Sequence, residues 1–260
     1  MFIVESFPIA VLFCIITMIC WGSHANSLKL TPNYPFSFYY WDQVIGYFLI
    51  TLVLGLTMGS FGDTGRNLIA DLQQGSFNSF LIAILGGFVF NLANILFIAS
   101  VRIAGMAVAF PIAIGIALVE GVIINYVAEP SGNAFLIFTG VAFITIAILV
   151  DAKAYSKLKD ASNKTENNNT GIIYAIIGGI LMGLFYYLVQ RAISPNLTEL
   201  EVGKFGPYAA VLVFTFGTLI SNFVYNTYVM KHPFSGEQIV SYASYFTNWF
   251  KRNQTISILF

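Results

Sequence analysis

Long apolar runs separated by short polar breaks organise this chain. Seven of them lie at about Phe7–Leu28, Phe38–Met58, Phe80–Ser100, Gly105–Tyr126, Ala134–Val150, Gly171–Ala192 and Pro207–Met230. Each approaches the roughly 20 apolar residues that a helix needs to cross a bilayer core. The runs are continuous and do not alternate between apolar and polar residues, which excludes an outer-membrane barrel. Helices are the other way to satisfy backbone polar groups in hydrocarbon. The pattern therefore predicts an all-α, polytopic transmembrane helical bundle with seven spans. Residues Met1–Ser6 include Glu5 and no basic residue, and the first run is too long for a signal core. That run is expected to stay in place as the first span, entered through Ser6 and Pro8, which suit a helix start.

Composition fixes the solvent as lipid. The chain is 57% hydrophobic and 9% charged, with a mean hydropathy of +0.78, whereas a soluble domain carries about a quarter charged residues. The formal net charge is zero, but the basic residues are segregated. Lys29, Arg102, Lys153, Lys157, Lys159, Lys164, Lys231, Lys251 and Arg252 follow odd-numbered spans; Arg66, Arg191 and Lys204 follow even-numbered ones. Basic residues concentrate in cytoplasmic loops. The expected topology is a multi-pass protein of the plasma or inner membrane, with an external N-terminus and a cytoplasmic loop after the fifth span. Nothing in the charge pattern calls for a nucleic acid. Cys14 and Cys20 read as small packing residues on different faces of the first span.

The stretch KLKDASNKTENNNT at residues 157–170 is too polar to form a core. Residues 153–170 are expected to be a linker between a five-helix repeat, 1–152, and an incomplete second repeat, 171–260. An odd number of spans before the linker reverses the polarity of the second part, and inverted repeats build sites that open alternately to two sides. The sixth and seventh spans echo the first and second. Aligning Met18 with Met182 sets Trp21 opposite Phe185 and Asn26 opposite Gln190. The next spans open with Phe36-Ser-Phe-Tyr39 and Phe205-Gly-Pro-Tyr208, and Ser60-Phe61-Gly62 is echoed by Phe234-Ser235-Gly236. An eighth span would start near Asn253. The chain stops instead at Phe260, so a C-terminal truncation of about three helices is expected.

Polar groups inside a membrane are costly and hence informative. The ends of spans one and three and the starts of spans two and four meet on one side, gathering His24, Asn26, Lys29, Asp42 and Arg102 with Trp41. Such a group can bind a substrate hydroxyl or carboxylate or relay protons. The competing reading is interfacial anchoring by snorkelling cations and an aromatic belt. Glu120 sits about 22 Å along a core of about 30 Å, where an ionised carboxylate is expensive. It is the best single candidate for proton coupling, against a role in reaching headgroups or bonding a neighbouring helix. Asn91 and Asn94 share a helical face and either join helices or bind polar groups of a substrate. Pro111 removes a backbone donor and, with Gly115, exposes carbonyls to a cavity. Trp21, Tyr186 and Tyr187 can stack on a planar solute or simply pack, and Gln190 is the echo of Asn26. Gly86-Gly87, Gly105–Ala109 and Gly179–Gly183 offer small surfaces for close helix approach.

No enzymatic constellation appears: no phosphate-cradling glycine loop, no paired histidines at metal spacing and no nucleophile elbow. Neither a cofactor, a metal nor a catalytic residue is expected.

The segment Asn91–Tyr155, above all Ala-Gly-Met-Ala-Val-Ala-Phe-Pro-Ile at Ala104–Ile112, resembles the drug/metabolite transporter superfamily. With Cys20-Trp21-Gly22-Ser23 it looks most like the glucose/rhamnose uptake (sugar transporter) and ureide permease branches. The resemblance implies a ten-helix, five-plus-five fold that moves a small polar metabolite, a sugar or a nucleobase- or ureide-like compound. It also implies that spans one, three and four and their counterparts line the pathway. The reading is a secondary transporter working by alternating access, with a proton or sodium ion as coupling partner and a homodimer as an open assembly state. A drug or metabolite efflux permease is the alternative within transport, and a non-transporting truncated scaffold is the alternative outside it.

Overall fold

The computed structural model describes residues 1–4, 6–24, 26–27, 34–62, 64–160, 168–234 and 237–247. These form helices α1 (Phe7–His24), α2 (Phe36–Leu56), α3 (Leu68–Gln74), α4 (Phe77–Ala104), α5 (Met106–Ala128), α6 (Ala134–Asp160), α7 (Asn168–Ala192), α8 (Pro207–Lys231) and α9 (Tyr242–Thr247). Among the described residues the β structure is limited to an isolated bridge between Ile193 and Phe205. The polytopic helical bundle is thus the observed fold.

Among the described residues six helices, α2 and α4–α8, are long and apolar enough to cross a membrane. The first run gives a shorter apolar helix, Phe7–Ser23. At about 1.5 Å per residue, the 18 residues of α1 rise about 27 Å, slightly less than a hydrocarbon core of about 30 Å. Leu28, where the expected span ended, lies outside the described residues, as does the expected eighth-span start at Asn253. The expected linker at 153–170 is helical at both ends, because α6 runs on to Asp160 and α7 begins at Asn168.

Local chemistry sets the helix ends. Pro35 precedes α2, and Pro207 opens α8 at a position whose N–H would have no helical partner. Asn67 caps α3 by accepting a hydrogen bond from the Ala70 N–H at 2.9 Å. Gly105 alone joins α4 to α5, with φ of 85°. With ψ of 152° this is a backbone region that essentially only glycine adopts. Gly105→Val is therefore expected to destabilise the protein by about 1–3 kcal/mol, measured as the loss of unfolding free energy in detergent micelles.

The chain packs as two compact units, residues Met1–Gly87 with Arg191–Phe260, and residues Phe88–Gln190. The expected repeat boundary near 152–171 falls inside the second unit.

In the first unit, α2 and α8 run antiparallel. Asn226 Nδ2 donates to the Ser37 carbonyl at 2.8 Å, Trp41 packs on Phe223, Phe48 on Phe216, and the Thr51 and Thr215 hydroxyls bond at 2.7 Å. The N-terminal part of α4 lies flush on α8, since a Cβ at Gly87 would come 2.2 Å from the Phe214 carbonyl oxygen. Leu68, Ala83, Phe205, Ala209 and Val213 build the core here. A polar clamp ties residues 66–79 to residues 194–206 at one end. Arg66 pairs with Asp71 at 2.9 Å and donates to the carbonyls of Leu200, Glu201 and Lys204. Asp71 also accepts from the Gly206 N–H at 2.6 Å, and Gln74 bonds both Lys204 and Gly203.

In the second unit, α7 packs closely on α4 and α5. Cβ atoms at Gly178 and Gly179 would meet the carbonyl oxygens of Ala93 at 3.1 Å and Ala113 at 2.7 Å. Helix α6 touches α5 through Ile148 at Gly115 and Phe138 on Tyr126. None of its membrane window, Ala134–Asp151, is buried, so its phenylalanines and isoleucines form an uncovered apolar face suited to lipid.

Candidate functional site

The polar candidates read from the sequence fall into both units, and each has a distinct setting. In the first unit, Trp21 on α1 is 43% exposed, and Asn26 is exposed just after α1. His24 closes α1, but its side chain, like the whole of Lys29, lies outside the described residues. Both α1 cysteines are exposed, so they face outward and do not pack inside the protein as expected.

Asp42 is fully buried near the start of α2. Its two carboxyl oxygens accept from the Tyr34 hydroxyl at 2.5 Å and the Tyr245 hydroxyl at 2.6 Å. Tyr245 belongs to α9, which folds back over the end of the α2–α8 pair. Phe38 packs at a tilt on Tyr245 and Trp41 edge-on against Tyr242, Tyr242 bonds Thr227, and Glu237 accepts from the Phe36 N–H at 3.1 Å. Asp42 thereby holds the tail segment to the helix pair. Hydrogen bonds to a charged group contribute about 1.5–3 kcal/mol each. Tyr245→Phe, which removes one of them and keeps the ring, is expected to destabilise the protein by about 1–3 kcal/mol in the same unfolding assay.

In the second unit, Asn91 and Asn94 are fully buried on α4. Neither carboxamide atom of Asn94 has a hydrogen-bond partner among the described residues. Pro111 is accommodated within the continuous α5. Glu120, on the same helix, lies against α7, where a Cβ on Gly183 would come 3.1 Å from its carboxyl carbon and from Oε2. The missing side chain at Gly183 thus makes the room that Glu120 occupies. Tyr186 is 53% exposed, and Gln190 is partly buried in the last turn of α7. Gly183→Val would fill the space beside Glu120. Overpacking of this kind costs about 1–3 kcal/mol, and the loss should be smaller in the double variant Gly183→Val, Glu120→Ala.

A further polar set on α8 is absent from the sequence-derived candidates. Thr218, Asn222 and Asn226, four residues apart, and Ser221 beside them are fully buried. The signal was present in the sequence, since polar residues at i, i+4 and i+8 share one face of a helix. Thr218 donates to the Gly87 carbonyl at 3.4 Å, and Asn226 reaches Ser37. Both carboxamide atoms of Asn222, Oδ1 of Asn226 and Nε1 of Trp41 have no hydrogen-bond partner among the described residues. Such a group costs about 1–3 kcal/mol when left unsatisfied. In a helix embedded in hydrocarbon, intramembrane polar residues are therefore read first as functional.

Residues 39–170, half of the chain, match the family model for ureide permeases. The chain belongs to the ureide permease family. It is 30% identical to ureide permease 1 of Arabidopsis thaliana over 131 residues, covering 50% of this chain and 33% of that protein. It is 29% identical to a probable ureide permease A3 of Vigna unguiculata over 135 residues, covering 36% of that protein. The match to ureide permease 2 of Arabidopsis thaliana is longer, 22% identical over 313 aligned positions, with 96% of this chain and 78% of that protein. The chain thus spans about a third of the first of these relatives. No solved structure matches it. The ureide permease match covers α4 and α5 with Asn91, Asn94, Pro111 and Glu120, and all of α2 from Tyr39 onward.

Proposed function

We propose that this chain is the helical part of a secondary transporter for a small, polar, uncharged metabolite of the ureide type, working by alternating access. The observation that carries the reading is the ureide permease match itself, placed on helices whose buried faces bear carboxamides. A ureide presents several N–H donors and C=O acceptors and little charge. Asn side chains offer both a donor and an acceptor, so Asn91, Asn94, Asn222 and Asn226 suit such a solute. Glu120, lodged against Gly183, supplies the one ionisable group we assign to proton coupling, with sodium as the alternative ion. Antiparallel packing of α2 on α8 is what an inverted repeat requires of this pair, though spans of opposite parity share it in any bundle. The basic-residue bias orients the protein with residues 153–170 in the cytoplasm.

A ligand that binds the folded form at about 100 times its Kd adds about 2.7 kcal/mol of stability. The 260-residue chain in nanodiscs is expected to melt at higher temperature with hydantoin, the simplest cyclic ureide, than with glucose or rhamnose. A lipophilic cation such as tetraphenylphosphonium is expected to have no such effect. Stabilisation by the cation alone would replace this reading with efflux, and stabilisation by the sugars alone would move it to sugar uptake.

A further inference from the structure

The α2–α8 seam of the first unit holds polar atoms that the fold leaves unused. Thr218 bonds α4 at Gly87, and Asn226, two turns on, bonds α2 at Ser37. Asn222 lies midway between them on the same face of α8. Trp41 packs at a centroid distance of 4.8 Å on Phe223, the residue after Asn222. The atoms without a partner among the described residues are two donors, Trp41 Nε1 and Asn222 Nδ2, and two acceptors, Asn222 Oδ1 and Asn226 Oδ1. Trp41 is 4% exposed, and both asparagines are fully buried.

From this we infer that Asn222, flanked by Trp41 and Asn226, is a solute-binding and specificity-determining residue that pairs with the adjacent N–H and C=O groups of a ureide. The inference rests on the transport reading above and deepens it. It places the recognition of the solute on the seventh long apolar run, where the family resemblance alone does not point. The matching of two donors with two acceptors selects the ligand chemistry. A planar urea or imide group satisfies both kinds at once. A lipophilic cation satisfies none of the donors. A site built to hydrogen-bond an N–H rejects an analogue that lacks it, because the site's own groups are then left unpaired. The seam is closed around these atoms, so solute reaches them only when α2 and α8 part, as a rocking cycle requires.

The test compares hydantoin with 1,3-dimethylhydantoin, which keeps both carbonyls and loses both N–H groups. Affinities are measured by calorimetry on the 260-residue chain in nanodiscs. The wild type is expected to prefer hydantoin at least tenfold. Asn222→Leu is expected to weaken hydantoin binding at least tenfold and to bring the two ligands near parity. Asn222→Asp, which keeps acceptors, should retain the preference. The ligand-free melting temperature of Asn222→Leu should hold or rise, because it removes atoms that have no partner. Asn222→Ser, with its smaller side chain, serves as the readout of affinity where the leucine variant does not fold. An unchanged preference in Asn222→Leu or, failing it, in Asn222→Ser overturns the inference and leaves the transport reading standing. So does a clear fall in the ligand-free melting temperature with wild-type affinity, which would make Asn222 a helix-joining residue. If the wild type binds neither hydantoin, the transport reading fails and the inference fails with it.

Discussion

Asp71→Ala is expected to destabilise the protein by about 3 kcal/mol, the lower end of the range for removing one partner of a buried ion pair, because Asp71 is buried while Arg66 is partly exposed. Asp71 is 2% exposed. Its carboxylate accepts from Arg66 Nε at 2.9 Å, the Gly206 N–H at 2.6 Å and Gln74 Nε2 at 3.1 Å. Removing it leaves the guanidinium without its counter-charge and the Gly206 N–H at the entry to α8 without an acceptor. Arg66 keeps three carbonyl partners at Leu200, Glu201 and Lys204, so the clamp would be loosened while part of it stays attached. Asp71→Asn keeps the shape and one of the two accepting oxygens and should lose less, about 1–3 kcal/mol. Reversible unfolding in mixed micelles measures both. A loss below about 1 kcal/mol for Asp71→Ala would assign this cluster the small value of an exposed surface pair.

Glu120→Gln is expected to reduce proton-driven uptake at least tenfold and to remove its pH dependence. Glutamine matches glutamate in shape, so the contact with Gly183 survives and the substitution isolates the ionisable proton. Binding of a neutral solute should change little, because the carboxamides proposed to recognise it are elsewhere on the chain. Counterflow, which exchanges solute without net proton movement, should therefore persist in the variant. Equal loss of uptake and counterflow would move Glu120 from coupling to binding. Retention of both, with an unchanged pH profile, would remove it from the cycle.

Much of the fold is legible because hydrocarbon imposes continuous apolar runs. Phe80–Ser100 and Gly105–Tyr126 anticipate α4 and α5 within a few residues, and Gly105 marks their junction in both sequence and structure. The first run is the exception. The expected span runs to Leu28, whereas α1 is described from Phe7 to His24 and Leu28 lies outside the described residues. The settings of individual side chains were less legible. Asp42 is visible in the sequence as a polar candidate at one end of a span, but its partners Tyr34 and Tyr245 lie 8 and 203 residues away. Only folding brings them together. Arg66 precedes the short helix α3 and Asp71 lies within it, in a polar stretch where charged residues are ordinary and their pairing leaves no mark in composition. Thr218, Asn222 and Asn226 did leave a mark in their spacing, but they stand in a run read for hydrophobicity. Ala104–Ile112 gave the family resemblance because it is a run of small residues with a proline, Pro111, and the structure places it at the start of one helix.

The most direct measurement of the transport reading is solute flux. Proteoliposomes holding the 260-residue chain should take up radiolabelled hydantoin saturably. Excess unlabelled hydantoin should compete, and equimolar glucose should not. An imposed inward proton gradient should accelerate that uptake in the wild type and not in Glu120→Gln. Uptake no greater than in protein-free vesicles, with circular dichroism showing the helices intact, would contradict it.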